Sequence, residues 1–549
     1  MNPQQQAMAD MLVDCGLIDQ DGLAVATAEQ RHTGLALGPQ LVALGLLDEA
    51  RLANAIAGFG NDVEPAPTQF EPDEAAIVQV PEKLARELQF CPVRWQASDN
   101  VLLIAVSTPM PFVARDRLRW RLSGVSALRV CHVTQSVLQC WLNESYPRRL
   151  EIEPLLVAID AGSGAGANPV ANLVQQMLDH AAHWRASDIH FEPEAAFVRI
   201  RYRVDGVMVP IRILHIRYWS PMLVRLKGLA GMDITETRLP QDGRFSLDDG
   251  TRQLDIRVAS LPVVHGENLV LRLLERNRTL LQLEDLGLQG HALQSLRELI
   301  RRPAGLILLT GPTGSGKTST LYSILAHLNN SSVNIMTLED PVEYKLAGVR
   351  QSSAGDSGQT GFAEGVRALL RQDPDIILIG EIRDTATAQA ALRAAMTGHL
   401  VFATLHTNSA IGALPRLQDL GVSTALLADN VLGVIAQRLI RKLCAHCRQP
   451  DTDADFAASA GQPHGYSATG CPRCDQRGYR GRVAVMEQLL LTPELVDLFL
   501  QPAQRSNALE QARRMGYRSL QDEVAGYVTA GITDLAEARR VIDFADQAR

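Results

Sequence analysis

No run of about 18 apolar residues interrupts this 549-residue chain, so no transmembrane helix is expected. It also has no long basic block, and its net charge is −8. A protein that moves along nucleic acid usually carries a basic stripe to neutralise phosphates, so that class is disfavoured. The first residues, Met-Asn-Pro-Gln-Gln-Gln-Ala, lack the basic and apolar regions of a signal peptide. The cytoplasm is therefore the expected compartment, with any membrane attachment made through partners. Aromatic residues are few, but the composition is otherwise that of a soluble globular protein. Four of the sparse cysteines, Cys15, Cys91, Cys131 and Cys140, are scattered and read as reduced, mostly buried thiols. A chain of this length holds several domains, each able to bury a core.

Against these absences stands one dense motif. Gly311-Pro312-Thr313-Gly314-Ser315-Gly316-Lys317-Thr318 fits G-x-x-x-x-G-K-[ST], with Ser319 next in the chain. Leu306 to Thr310 read as a buried parallel strand before it, and Ser319 to Leu328 as a helix after it. Glycines let the backbone N–H groups curl towards phosphates, and the helix N-terminus adds partial positive charge. Lys317 is expected to reach the β- and γ-phosphates of ATP, and the Thr318 hydroxyl to hold Mg²⁺.

Further strands end in candidate chemistry. Ile376 to Ile379 lead through Gly380 to Glu381, and Ile335 to Leu338 lead to Glu339 and Asp340. Ligands bind at the carboxyl ends of parallel strands, so Glu381 is expected beside the phosphate loop and Glu339 is a candidate base for the attacking water. The alternative for Glu339 and Asp340 is a strand-to-turn cap. Leu400 to Leu405 form another strand with His399 and His406 at its ends. A lone histidine is more often structural, but His406 shares its strand end with the two acids. Cys444-x-x-Cys447 and Cys471-x-x-Cys474 supply four thiolates that can close a tetrahedral site, and zinc is expected over a redox pair or disulfides. With all four ligands from protein, such a site is structural.

Composition divides the chain. Residues 1–62 form a helical repeat module, in which Leu12-Val13-x-x-Gly16-Leu17-Ile18 recurs as Leu41-Val42-x-x-Gly45-Leu46-Leu47. Leu23 and Leu52 follow at matching positions, and each copy reads as two short helices joined at the glycine. Residues 63–150 form a small α/β unit, and 151–168 a flexible linker whose second half is rich in Gly and Ala. Residues 169–278 form a third unit. Its strand Phe197 to Val204 alternates, so Arg199, Arg201 and Arg203 share one face and repel unless an anion faces them. A solvated edge strand is the alternative. A βα pattern covers 279–440, the cysteine unit 441–482, and the tail from Val483, residues 483–549, reads as helical.

Together these residues resemble the assembly ATPases of type II secretion and type IV pili, the GspE/PilB group. The resemblance covers nearly the whole chain. It rests on Ala186-Ser187-Asp188-Ile189-His190-Phe191-Glu192-Pro193, Arg238-Leu239-Pro240-Gln241-Asp242-Gly243-Arg244 and the phosphate loop. It rests further on Leu338 to Tyr344, Leu369 to Asp375 leading to Glu381-Ile382-Arg383-Asp384, Thr397 to Asn408, and the tetracysteine motif closing on Gly478 to Arg482. The resemblance implies a multidomain α/β protein: a RecA-like P-loop ATPase core preceded by a PAS-like α+β domain and by N-terminal helical and α/β modules, with a tetracysteine zinc subdomain. It implies a homohexamer that hydrolyses ATP and drives an inner-membrane platform protein to assemble a pseudopilus or pilus. It assigns Lys317 and Thr318 to phosphate and Mg²⁺, Glu339 as the catalytic carboxylate, Glu381 as the Walker B acid and His406 as the γ-phosphate sensor. Arginines of the PAS-like domain would act on the nucleotide; Arg203 and Arg225 match best by position, with Arg238 and Arg244 as further candidates. Arg367 and Arg371 of the ATPase domain are others.

The chain departs from the family in three places, one of them Asn268, which follows Gly266-Glu267 where a lysine is common. Ser352 to Gly361 is polar and glycine-rich where the family has an alternating apolar strand, and a more mobile loop is expected there. The N-terminal repeat resembles a paired motif that binds cyclic di-GMP in some relatives, but both opening arginines are missing. The phosphates then lose their natural partners, so the module is expected to dock rather than to bind a dinucleotide. A non-hydrolysing scaffold and a DNA-translocating ATPase are the competing classes. The intact Lys317, Thr318, Glu339 and Glu381 oppose the first, and the acidic balance opposes the second.

Overall fold

The computed structural model describes part of the first seventy residues. From 72 to 542 it describes all but 109, 111, 123, 147–149, 163–167, 249–252, 276–280, 355–360 and 452–464. The chain forms two units, residues 1–204 with 208–277 and residues 205–207 with 278–549.

In the first unit the N-terminal repeat is visible in its hydrogen bonds. Leu17 N–H donates to the Leu12 carbonyl and Leu46 N–H to the Leu41 carbonyl, both at 3.0 Å. The equivalent side chains Leu12 and Leu41, and Ile18 and Leu47, are buried in one small core with helices Gln20–Thr33 and Leu37–Ala43. Gly45 turns the chain with φ 69°, a conformation open to glycine at little cost; Gly16 lies outside the described residues. A three-stranded sheet follows, β1 (Phe90–Gln96), β2 (Val101–Val106) and β3 (Ala127–His132). β1 and β2 are antiparallel, β2 and β3 parallel.

Six strands make the next sheet: β4 (Asp188–Pro193), β5 (Phe197–Val204), β6 (Val207–His215), β7 (Gln241–Asp248), β8 (Gln253–Val263) and β9 (Gly266–Glu275). Their order is β6-β5-β4-β9-β8-β7. Alternation on β5 buries Val198, Ile200, Tyr202 and Val204 and turns the arginines to the other face. The alternative of a solvated edge strand fails, because β5 lies between β6 and β4. Carboxylates of the neighbouring strand face two of its arginines. Arg201 pairs with Glu192 and Arg203 lies 3.5 Å from Asp188. The reading of 151–168 as a linker is also corrected. Glu153–Asp160 is a helix whose Leu155, Leu156 and Ile159 pack on this domain's core, with Glu153 bonded to Arg212 and Asp160 to Arg217. Its apolar residues lie on one helical face, a signal hidden by the Gly/Ala stretch that follows.

The second unit is a seven-stranded sheet. Its strands are β10 (Gly305–Thr310), β11 (Ile335–Glu339), β12 (Arg350–Ser353), β13 (Ile376–Ile379), β14 (Leu400–Leu405), β15 (Val431–Leu443) and, after the short pair β16 (Gln449–Asp451) and β17 (Gly465–Ser467), β18 (Tyr479–Leu490). The order is β12-β11-β13-β14-β10-β15-β18, parallel except for the β15–β18 pair. The central strands are apolar throughout because both faces are covered. Leu306 and Leu308 enter one core, Ile307 and Leu309 the other, and Ile377 and Ile379 are likewise opposed to Ile376 and Leu378.

The helical tail expected from Val483 is helical only from Pro493 onward. Val483 to Leu490 is strand β18, paired antiparallel with β15, and helices begin at Pro493. A short apolar run buried on both faces has no period that separates strand from helix. The cysteine unit is thus inserted between two paired strands of the ATPase sheet, and the boundary drawn at 440 falls inside β15. Of the expected mobile loop, Ser352 and Ser353 belong to β12, parallel to β11, and 355–360 lie outside the described residues.

Candidate nucleotide site and tetracysteine centre

The phosphate loop joins β10 to the helix Lys317–Leu328. Gly311, Gly314 and Gly316 have φ of 146°, 79° and 88°, conformations that favour glycine. Two of them also face close neighbours. A Cβ on Gly311 would lie 2.5 Å from the Gln437 carbonyl oxygen, and one on Gly316 2.9 Å from Gln437 Nε2. Gln437 donates to the Ser315 carbonyl at 2.8 Å and so fastens the loop to β15. Pro312, Thr313, Gly314 and Thr318 are exposed, whereas Ser315 is buried and its hydroxyl has no hydrogen-bond partner. Lys317 Nζ donates to the carbonyls of Gly311 at 2.7 Å and Pro312 at 3.2 Å. Burial, then the nearby Arg438 guanidinium, hold the Lys317 ammonium below its ordinary value, partly offset by Glu381.

The acids expected at the strand ends are there. Glu339 ends β11, is buried, and accepts hydrogen bonds from the Tyr322 hydroxyl, from Thr337 Oγ1 at 2.6 Å and from Gln351 Nε2 at 3.3 Å. Glu381 follows β13 and is paired with Arg383, with His406 Nε2 3.6 Å from its other oxygen. His406 is exposed just beyond β14, whereas His399, at the opposite end of that strand, bonds the Ala394 carbonyl and is structural. The loop after His406 is clamped to β10, since Thr310 Oγ1 accepts from Thr407 N–H at 2.7 Å and donates to the carbonyls of Leu405 and Thr407, both at 3.1 Å. The catalytic candidates Lys317, Glu339, Glu381 and His406 therefore share one edge of one sheet. Arg203 on β5, exposed Arg225 on the helix Trp219–Leu229, and exposed Arg238 and Arg244 belong to the first unit. Arg367 and Arg371 are exposed in the second, where Arg371 bonds the Arg367 carbonyl.

Sequence reading missed Gln437 and Arg438. Arg438 Nη2 donates to the Asn408 carbonyl at 2.7 Å, and Nη1 lies 3.2 Å from where a Gly311 Cβ would stand. The available signal was a polar Gln-Arg pair inside the apolar run Val431 to Leu443.

The four cysteine sulfurs lie within 4.8 Å of one another. Cys444 and Cys471 are 3.9 Å apart, Cys447 and Cys474 3.8 Å, and Cys471 and Cys474 3.7 Å. Zinc bonded tetrahedrally to sulfur at about 2.3 Å requires separations of about 3.8 Å, so the site fits that ion. Backbone N–H groups of Cys471 and Gly478 point at the Cys474 sulfur at 3.2 and 3.1 Å, the outer donors that steady a thiolate ligand.

The family model described as "Type II/IV secretion system protein" matches residues 163–540, and one described as "MshEN domain" matches 65–152. Type II secretion system protein HxcR of Pseudomonas aeruginosa is 46% identical over 387 residues, covering 70% of this chain and 79% of that protein. Type II secretion system ATPase E of Vibrio cholerae is 45% identical over 379 residues, covering 68% of this chain and 75% of that protein. The solved structure of the ATPase DotB of Legionella pneumophila matches with a TM-score of 0.51 at 23% identity, over 69% of this chain and 96% of DotB, a likeness of fold. With an intact phosphate loop flanked by two strand-end acids, and a family match across both the six-stranded and the seven-stranded sheets, this chain is a secretion ATPase belonging to the type II/IV secretion system protein family.

Proposed function

We propose that the chain works as a cytoplasmic homohexamer, held at the inner membrane only through partners, that turns ATP hydrolysis into pseudopilus or pilus assembly through a membrane platform protein. One observation carries the reading. Glu339, Glu381 and His406 end three neighbouring parallel strands beside a phosphate loop whose lysine has no carboxylate within ion-pair distance among the described residues. Lys317 meets the β- and γ-phosphates, and the backbone N–H groups of Thr313 to Ser319 surround them. Thr318 and Glu381 offer magnesium the oxygen donors a hard cation takes. Bound there, magnesium neutralises phosphate charge. Glu339 takes the proton of the attacking water, and His406 reads the γ-phosphate. Arg203 and Arg225, from a PAS-like domain over residues 169–278, stabilise charge in the transition state as arginine fingers do. Arg238, Arg244, Arg367 and Arg371 are secondary candidates. Zinc on Cys444, Cys447, Cys471 and Cys474 staples the insertion between β15 and β18.

The test is ATPase rate against protein concentration, for wild type and Lys317→Ala, with mass measured alongside. A specific rate that climbs as hexamers form, and is absent from the variant, supports an assembly-dependent motor. Full activity from a monomer would refute the hexameric part. A background rate with ATP still bound, unchanged by the platform's cytoplasmic domain, would point to a scaffold.

A further inference from the structure

We propose that Tyr322 is a positioning residue for ATP hydrolysis, holding the Glu339 carboxylate at a fixed offset from the phosphate loop. This rests on the reading of Glu339 as the base. A carboxylate has about four acceptor sites on its two oxygens. On Glu339, Oε1 takes the hydrogens of Thr337 Oγ1 and Gln351 Nε2, and Oε2 takes that of Tyr322. The acceptor left over is on Oε2, so the donor that fixes the direction of the remaining lone pair is the tyrosine.

Tyr322 stands on the helix that begins at Lys317, little more than one turn along. Its side chain is fully buried, and the ring packs edge-on against Tyr344 with centroids 4.6 Å apart. One rigid helix thus carries the phosphate-binding lysine at its first turn and the carboxylate's donor in its second. Gln351 closes the arrangement. Its Nε2 also lies 3.3 Å from the Tyr322 hydroxyl and 3.2 Å from the Tyr344 carbonyl, while its Oε1 accepts from Leu346 N–H at 2.7 Å. Burial, then the bond to Glu339, push the Tyr322 phenol well above its ordinary value, so it remains a donor at any working pH. A base must hold its lone pair on the line of attack, and small misplacements are costly.

The experiment measures kcat, KM for ATP and ATP-analogue affinity in full-length Tyr322→Phe, with Glu339→Gln alongside. The proposal expects kcat to fall about tenfold or more in Tyr322→Phe while KM and analogue affinity stay within about twofold, the pattern of an interaction used in the transition state. Glu339→Gln inactive with Tyr322→Phe at the wild-type kcat would overturn the role of Tyr322 and leave the base reading standing. An active Glu339→Gln would overturn the base reading itself. A parallel loss of kcat and analogue affinity in Tyr322→Phe, which keeps the ring and removes only the hydroxyl, would overturn the proposal by showing that the hydroxyl supports the site as a whole rather than the direction of the carboxylate. Should Tyr322→Phe not fold, Thr337→Val removes a second donor from the same carboxylate and is read by the same split.

Discussion

The guanidinium of Arg438 reaches across from β15 to donate to the main-chain carbonyl of Asn408, at 2.7 Å. Asn408 lies in the loop that carries His406, while Arg438 is itself held half-buried beside Lys317 without a carboxylate within ion-pair distance among the described residues. Burial holds even this guanidinium below its ordinary value, with Glu487 opposing. Two cations kept together in this way favour an arriving polyphosphate, and any shift of Arg438 is felt at the loop of His406. Arg438→Met is expected to weaken ATP-analogue binding and to lower kcat about tenfold, in line with the loss of a charged hydrogen bond. Arg438→Lys should recover binding better than kcat, since a single ammonium cannot reproduce the fork that meets the Gln437 and Asn408 carbonyls. Steady-state kinetics with analogue titration check both; wild-type values in Arg438→Met would remove the residue from the site.

How much of this was legible beforehand follows from the range of each interaction. The loop from Gly311 to Thr318, the acids at 339 and 381 and the four cysteines declare themselves because their chemistry is local: a strand, a turn and a fixed spacing. Gln437 and Arg438 were invisible because their importance comes from β15 lying beside β10, about 120 residues away in sequence. The strand Val483 to Leu490 was misread for a related reason. Its partner β15 is separated from it by the whole cysteine insertion, and burial on both faces removes the alternation that marks a strand. The arginines of β5 show the converse. Their shared face was correctly read from alternation, but the carboxylates of Asp188 and Glu192 that face them come from the register with β4, which no single strand encodes.

The cysteine centre predicts a metal-dependent fold for the insertion. One zinc per chain is expected, measured by elemental analysis, and Cys444→Ser should abolish it and lower the melting temperature. Burial pushes the Cys444 thiol up to about 12. At neutral pH that thiol is protonated until metal displaces the proton, so zinc affinity must weaken as pH falls. A competition titration with a chromophoric chelator between about pH 8 and pH 6 should show the loss. Affinity independent of pH would contradict ligation through these thiols.

In the first unit Lys227 and Glu267 form an ion pair that is 1% and 3% exposed. Both carboxylate oxygens accept from Lys227 Nζ, at 2.8 and 3.1 Å, while Ser260 Oγ adds 2.6 Å and the Glu236 carbonyl takes a further Lys227 hydrogen at 2.7 Å. A pair so enclosed adds little net stability, but leaving one member alone is costly. Lys227→Met is expected to destabilise this unit by about 3–5 kcal/mol, and Lys227→Met with Glu267→Leu to regain most of the loss. Denaturant unfolding followed by tryptophan fluorescence, with Trp219 in the same core, measures both. A double variant no better than the single would show that the site requires charge.

Glu487 on β18 gives a prediction with a sign. Its side chain is buried, and Oε1 accepts from the Tyr517 hydroxyl at 2.8 Å and from Ala410 N–H at 3.1 Å. Burial raises its carboxyl above the ordinary range, against the opposing pull of those two bonds and of Arg438. A carboxyl whose folded pKa exceeds its unfolded pKa binds its proton more tightly in the folded state. The stability this contributes is full below the ordinary carboxylate pKa and is lost as pH rises through the raised folded value. Glu487→Gln preserves an oxygen for both donors while removing the ionisation. The variant should therefore match wild type only below the ordinary carboxylate pKa and overtake it as the pH rises above that, with a flatter dependence of melting temperature on pH. A wild-type curve that rises with pH relative to Glu487→Gln would mean that the ionised carboxylate is the stabilising form, held by Arg438 more strongly than burial opposes it.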